Sequence, residues 1–457
     1  DSLGAVELRN QLQRAVGEGV ALSSTVMFDH PTARQVAAHV LGSAADGCET
    51  SVAEAASRDG SAAVDLAGVG IALPNGIPTA AALRAMSHSG ANLLRVVPSA
   101  RWDVERAARA LAGSPPEVAR RVRHGAFLRD AELFESGAFG ISPAEAAAMD
   151  PQQRQLLERG YAALHGARLT RAALLGGLVG VSVGQWASEF GSVLGRTPAG
   201  TSVYASTGSS CSVTCGRVSF ALGLHGPCAS YDTACSASLV ASHGSVRALQ
   251  RSECDAALSA GVNMILDPAA MAGNAVAGFT SVRGRSHTFD ARADGYARGE
   301  AVDAVASRCA DDAPSRVWMV GSAIRQDGRS ASLTAPNGQA QQGVLSASLA
   351  DACLEAGEVA VLEAHGTGTA LGDPIEAGAV AAVYRSSEGA LVVGSLKANA
   401  GHTEPGAGLA GALKLCVQLC GKGMSPNAQL RVLNAHVGAT LPYGAPFALP
   451  IELSCEW

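Results

Sequence analysis

Apolar positions follow two rhythms along the chain. Short, nearly continuous apolar runs of strand length stand at Val64–Ile71, Leu178–Val183, Gly226–Tyr231, Asp255–Leu266, Val302–Arg308, Val317–Ile324, Val359–Leu362 and Leu391–Leu396. Between them, apolar residues at three- and four-residue spacing predict helices over Pro78–Ser87, Pro151–Leu164, Ser209–Leu222, Ser238–Leu249, Gln341–Ala356 and Leu409–Leu419. Runs this apolar on both sides of the strand, alternating with helices, predict a layered α/β domain with largely buried sheets.

The start of the chain reads differently. Leu3, Val6, Leu8 and Leu12 lie near helical spacing, and a second amphipathic run covers Ala33–Leu41, so residues 1–42 form a small helical unit. Residues 43–63 are rich in Ala, Ser, Gly, Asp and Glu and poor in large apolar side chains, which predicts a linker. Residues 64–457 then form the α/β domain.

Three stretches of that domain share one context. Cys235, in Y-D-T-A-C-S-A-S-L, follows a predicted buried strand and precedes a predicted helix. His365 lies in E-A-H-G-T-G-T-A-L-G-D-P-I-E, and Lys397 and His402 lie in K-A-N-A-G-H-T-E-P-G-A-G. Each of these stretches also leaves a strand through a turn of Gly and small residues and opens a helix. A lone Cys is a common core residue and a lone His on a turn is usually structural. One Cys, two His and one Lys in three like contexts point instead to one site. Backbone N–H groups at a helix start are expected to lower the Cys235 thiol pKa and to face an oxyanion.

Other patterns carry less. Gly180-Val181-Ser182-Val183-Gly184 matches a serine-hydrolase elbow, but no helix follows at once, so Ser182 reads as a structural serine. Gly68 and Gly70 lack the third glycine of a dinucleotide fingerprint. Cys211 with Cys215, and Cys416 with Cys420, sit four apart without zinc-type partners and read as packing residues; no metal site is predicted.

Composition narrows the classes. Of 457 residues, 47% are hydrophobic and 16% charged, enough for a large core. A net charge of -6 with 4% aromatics argues against a nucleic-acid partner. No apolar run approaches the ~18 residues of a membrane span. Eleven cysteines without framework spacing favour a reducing, cytoplasmic compartment.

D-T-A-C-S-A-S-L, E-A-H-G-T-G-T-x-L-G-D-P-I-E and K-x-N-x-G-H-T-E resemble the three active-site signatures of β-ketoacyl synthases, specifically the ketosynthase domains of modular type I polyketide synthases. Further matches run over Phe139–Arg154, Gly216–Phe220, Phe289–Glu300 and Asp327–Gly338. The resemblance implies a thiolase-like fold of two similar halves in αβαβα layers, a homodimer, and neighbouring synthase domains. It implies Cys235 as the residue that is acylated, and His365 and His402 as donors to the enolate of a decarboxylating malonyl-type thioester. Lys397 would hold the polar network, with Glu376 as its carboxylate partner. The implied activity is decarboxylative Claisen condensation with acyl carrier protein domains as partners; a non-condensing acyl-relay or docking domain is the alternative. Arg325, Leu73 and Ala435 stand where the family commonly has Asn, Phe and Pro.

Asp1-Ser2-Leu3, with its helix and with F-D-H-P-T at 28–32, resembles the latter part of an acyl carrier protein. That resemblance implies 4′-phosphopantetheine on Ser2 as the only cofactor; without it, Ser2 reads as an N-cap. The first carrier helix is expected to be missing at one end. The glycine-rich closing strands and loop of the ketosynthase are expected to be missing at the other.

Overall fold

The computed structural model describes residues 2–17, 22, 33–42, 63–186, 188–310, 316–384, 390–441 and 447–455. They fall into two compact units, Asp1–Ala56 and Ser57–Trp457. The 28–32 stretch, most of the 43–63 linker and Glu456–Trp457 lie outside the described residues.

The smaller unit contains helices α1 (Ser2–Val16) and α2 (Ala33–Gly42). Near the end of α1, Gln13 accepts the Leu22 N–H at 2.8 Å and Arg9 donates to the Leu22 carbonyl at 3.1 Å, fixing the buried Leu22.

The larger unit is built on two sheets. Strands β1 (Val64–Ala72), β2 (Val179–Gly184), β3 (Cys228–Tyr231), β4 (Ala256–Asn263), β5 (Ala301–Cys309) and β6 (Trp318–Met319) form the first, in the order β3-β2-β4-β5-β1-β6. The β2 strand runs parallel to β3 and β4, while β5 is antiparallel to β4 and β1. Strands β7 (Val361–Glu363), β8 (Leu391–Gly394) and β9 (Phe447–Ala448) form a parallel second sheet, in the order β9-β8-β7.

Helices α3 (Pro151–Gly166) and α4 (Cys211–Leu222) cover the outer face of the first sheet. Leu156, Leu157, Leu164, Val218 and Leu222 pack there against Val181, Leu258, Val302 and Ala304. Its inner face meets α5 (Ala237–Gln250) and α8 (Ala407–Gly421), with Leu409, Ala410 and Leu413 against Ile71, Ala301 and Val305. Beyond them the second sheet is covered by α6 (Gly338–Ala352) and α7 (Gly372–Tyr384), through Leu345, Leu349, Ala377 and Val380. The layers therefore run helix, sheet, helix, sheet, helix, as the resemblance implied. In the central layer, α5 and α8 begin side by side: the Ser238 hydroxyl accepts the Leu409 N–H at 3.0 Å.

Two sequence-based expectations need correction. The apolar run Val317–Ile324 is strand only at Trp318–Met319, which pairs with the first residues of β1; Val320 and Ile324 are exposed. A partner for two residues cannot propagate a ladder over eight, whatever the propensity of the run. The run before Cys235 is not a buried strand either. It forms the edge strand β3, and Cys228 is exposed.

The inner face of β5 carries an unpartnered carboxyl. Asp303 shares the face of Ala301 and Val305, is 0% exposed, and neither carboxyl oxygen has a hydrogen-bond partner. The approach of the Ala72 N–H falls short of hydrogen-bond geometry, and burial pushes the carboxyl well above the ordinary carboxylate range. A raised folded-state pKa means that the unfolded chain releases this proton first, so its contribution to stability is lost as pH rises above the ordinary value. Asp303→Ala is therefore expected to stabilise the domain by about 1–3 kcal/mol at pH 7. Chemical denaturation should show the gain growing from pH 5 to pH 8; a loss, or a gain independent of pH, would contradict this assignment.

Candidate active site

Cys235 leaves the sheet through a strained turn. After β3, Ala234 takes φ +54°, a conformation that costs a non-glycine residue roughly 1 kcal/mol, and its N–H is caught by Asp232 at 3.2 Å. Cys235 lies in the single 3₁₀ turn Ala234–Ser236 that runs directly into α5. Its N–H thus sits at the positive end of a 14-residue helix. Gly184, at the end of β2, lets that helix start close to the sheet: a Cβ there would fall 2.3 Å from the Ser238 nitrogen.

His365 follows β7. Glu376, one turn into α7, accepts the N–H groups of His365 at 2.5 Å and Gly366 at 2.7 Å. Asp373 accepts those of Phe289 at 2.8 Å and Gly368 at 3.0 Å. Two carboxylates on one helix face therefore hold the whole turn by its backbone.

His402 follows β8 and the short helix Lys397–Ala400. Gly401 turns the chain at φ +73°, where a Cβ would meet the Ala297 carbonyl at 2.7 Å. The His402 N–H donates to that same carbonyl at 2.7 Å, and its carbonyl accepts the Gly299 N–H at 2.8 Å. His402 Nδ1 accepts the Glu404 N–H at 3.1 Å. In the neutral ring the proton must then be on Nε2, so Nε2–H is a hydrogen-bond donor.

The three turns converge. The Cys235 sulfur and the nearest nitrogens of His365 and His402 lie within 4.8 Å of one another. The two imidazoles meet edge-to-face, with centroids 5.4 Å apart and planes at 88°. Tyr296 also meets His402 edge-to-face, with centroids 5.0 Å apart.

Burial first, and the Lys397 charge second, push both imidazoles below their ordinary pKa, so both are neutral at neutral pH. His402, 5% exposed, carries the stronger shift. Burial also lowers Lys397, against the opposing charges of Glu376 and Glu363. Glu376 is thus the carboxylate with the largest favourable effect on Lys397, although its oxygens are spent on backbone donors.

The thiol departs from the sequence-based expectation. Burial pushes Cys235 above its ordinary range, and the Lys397 charge only partly offsets this. Desolvation of a thiolate in this recess outweighs the helix start. The resting site thus holds a thiol, two neutral imidazoles and one buried lysine. These three side chains are also zinc-ligand types, but the Lys397 charge acts on all of them and His402 offers an N–H, not a lone pair.

Cys235, His365, His402, Lys397 and Glu376 therefore meet in one place. Ser2 belongs to the other unit, as the first residue of α1. Ser182 is a buried β2 residue with no role here. Sequence reasoning overlooked a buried cluster behind His402. Arg298 donates to Glu404 at 2.7 and 2.8 Å and to Glu189 at 2.8 Å, and Asn263 donates to Glu404 at 2.8 Å. Arg298 and Glu404 lie in quoted motifs, where charges amid small residues in apolar surroundings signal a buried pair. Glu189 gave no comparable signal.

Comparison with known proteins agrees with this geometry. Residues 62–306 match the β-ketoacyl synthase N-terminal domain, 317–431 its C-terminal domain, and 1–40 a phosphopantetheine attachment site. The chain is 42% identical to polyketide synthase GfsB of Streptomyces halstedii, over 91% of this chain and 8% of that protein. It is 42% identical to the pikromycin synthase component PikAII of Streptomyces venezuelae, over 93% of this chain and 12% of that protein. It thus spans only a small part of the curated relatives it matches. Among solved structures, the ketosynthase from module 6 of the Bacillus subtilis bacillaene synthase superposes with a TM-score of 0.77 at 29% identity, covering 86% of this chain and 67% of that one. The oxazolomycin ketosynthase domain OzmH KS7 of Streptomyces albus gives 0.79 at 30%, covering 86% and 69%. With both family domains matched in order over a thiolase-like fold, the chain belongs to the β-ketoacyl synthases, and its relatives are modular type I polyketide synthases.

Proposed function

We propose that residues 64–457 catalyse decarboxylative condensation between an acyl group held on Cys235 and a malonyl-type thioester. The observation that carries this reading is one nucleophilic sulfur within 4.8 Å of two neutral imidazoles. An acyl thioester is attacked by the Cys235 sulfur; the thiol proton leaves with the departing carrier thiol, and the acyl group stays on sulfur. The Cys235 N–H, at the start of α5, faces the oxyanion of that step.

The second substrate then loses carbon dioxide. The electron pair of the broken C–C bond moves into an enolate, whose oxygen takes hydrogen bonds from the two imidazoles, with His402 Nε2–H as the defined donor. The enolate carbon attacks the acyl carbonyl, the C–S bond breaks, and Cys235 leaves as a thiolate that recovers a proton. Neutral imidazoles suit this step because they donate without adding a full positive charge beside Lys397. Lys397 stabilises negative charge in the pocket, and Glu376 holds the His365 turn.

The acyl donors in this reading are carrier domains of the same kind of synthase. Residues 1–40 match an attachment-site sequence, and Ser2 opens a 15-residue helix whose N-terminal N–H groups favour a phosphodiester. When bound, 4′-phosphopantetheine supplies a thiol that carries the acyl group as a thioester; Ser2 is the residue that would hold it. A second copy of the chain is proposed along β3, supported by its place as the outermost strand of its sheet among the described residues and by Phe220, 88% exposed on the neighbouring α4.

The test supplies an acyl thioester donor and a malonyl carrier and analyses carrier-bound products by mass spectrometry. A β-ketoacyl carrier, longer than the starting acyl group by a two-carbon unit, is expected. Intact acyl transfer without elongation would identify a relay domain instead.

A further inference from the structure

The cluster behind His402 is costly. Glu404, 2% exposed, takes φ +49° without being glycine. Its carboxylate accepts two bonds from Arg298 and one from Asn263. Arg298, 0% exposed, lies over the Trp186 ring at 5.9 Å and reaches Glu189. The second Glu189 oxygen accepts the N–H groups of Leu266 at 2.8 Å and Asp267 at 2.9 Å. Two carboxylates and one guanidinium are thus buried where apolar side chains would pack with less desolvation penalty. The left-handed backbone of Glu404 adds roughly 1 kcal/mol of strain.

What these groups share is the turn at 402–404. The backbone of Arg298 bridges to His402, whose N–H and carbonyl are taken by Ala297 and Gly299. With the Glu404 N–H on His402 Nδ1, the left-handed φ of Glu404 turns the chain from that bond into α8. Were that N–H turned away, no hydrogen bond at Nδ1 would select between the two neutral tautomers, and a share of the rings would present a lone pair to the enolate.

We propose that Glu189, Arg298 and Glu404 form a positioning chain that holds the Glu404 backbone left-handed, so that its N–H fills His402 Nδ1 and the ring keeps its Nε2–H for decarboxylation. None of the three touches the substrate; they act through His402, and the inference rests on the role given to His402 above.

Glycine separates this role from a merely structural one. Glycine adopts positive φ at no steric cost, whereas alanine does not. The full chain would be prepared as wild type and as Glu404→Ala, Glu404→Gly and Glu189→Gln. Each is measured for carbon dioxide release from a malonyl thioester, for Cys235 acylation, and for the imidazole ¹⁵N shifts of His402. Glu404→Ala is expected to lower kcat for carbon dioxide release about tenfold or more, with KM little changed. Glu404→Gly should recover at least about threefold of that loss and keep the Nε2–H signature that Ala loses. Acylation should stay within about threefold in both. If Glu404→Ala does not fold, Glu189→Gln, which loosens the chain from its far end, should still slow carbon dioxide release and shift the His402 signals. Equal rates in the Gly and Ala variants, acylation falling in parallel with carbon dioxide release, or no change in Glu189→Gln would each overturn the proposal. A wild type that acylates but releases no carbon dioxide would instead overturn the role of His402.

Discussion

Cys235→Gln is expected to abolish condensation, by at least about 10⁴-fold, while carbon dioxide is still released from a malonyl carrier. The two steps use different atoms. In the proposed chemistry acylation needs the sulfur and the N–H at the start of α5, whereas decarboxylation needs hydrogen bonds from the imidazoles, which are held by Glu376 and by the Glu404 N–H, not by the thiol. Glutamine also fills the recess with a polar, roughly acyl-sized group, so the histidines keep a neighbour. Intact-mass analysis should find one acyl adduct on wild type and none on the variant. An adduct that persists in Cys235→Gln would move the acylation site elsewhere.

His402→Ala should do the reverse. Removing a fixed donor to a developing oxyanion typically costs ~10² to 10³ in rate, and the loss should appear in carbon dioxide release. The Cys235 sulfur keeps its own backbone N–H and its place on α5, so acylation by a thioester should continue. The expected pH behaviour follows from the direction of the shift. His402 is held well below its ordinary value, so wild-type carbon dioxide release should not fall as pH is lowered through the ordinary histidine range. A fall centred there would mean that His402 titrates as a surface imidazole. Unchanged release in His402→Ala would remove it from the chemistry altogether.

Much of this site was legible in the chain itself. Cys235, His365 and His402 each stand where an apolar strand gives way to small residues before a helix, and that periodicity places all three at strand ends. It does not place them together; the parallel start of α5 and α8, joined through Ser238 and Leu409, does that. The layers followed from apolar runs too continuous for a one-sided sheet. The strand expected over 317–324 failed because propensity is local, whereas a ladder needs a neighbour, and the register with β1 runs no further than Trp318 and Met319. The thiol shift was misjudged because the sequence reveals the helix start but not the depth of burial. The partners of Glu404 were hidden for a similar reason. Glu189 and Asn263 come from segments far apart in the chain, and only the closed fold shows that their side chains reach one turn.

In the proposed chemistry one sulfur and two neutral imidazoles complete both half-reactions in a single recess. The decisive experiment mixes chain acylated at Cys235 with a malonyl carrier labelled with ¹³C at the free carboxyl, and follows the adduct and labelled carbon dioxide together. Loss of the Cys235 adduct should match the appearance of an unlabelled β-ketoacyl carrier one for one, with one labelled carbon dioxide per product. Loss of the adduct without labelled carbon dioxide, or a β-keto product that forms while Cys235 stays acylated, would contradict the account.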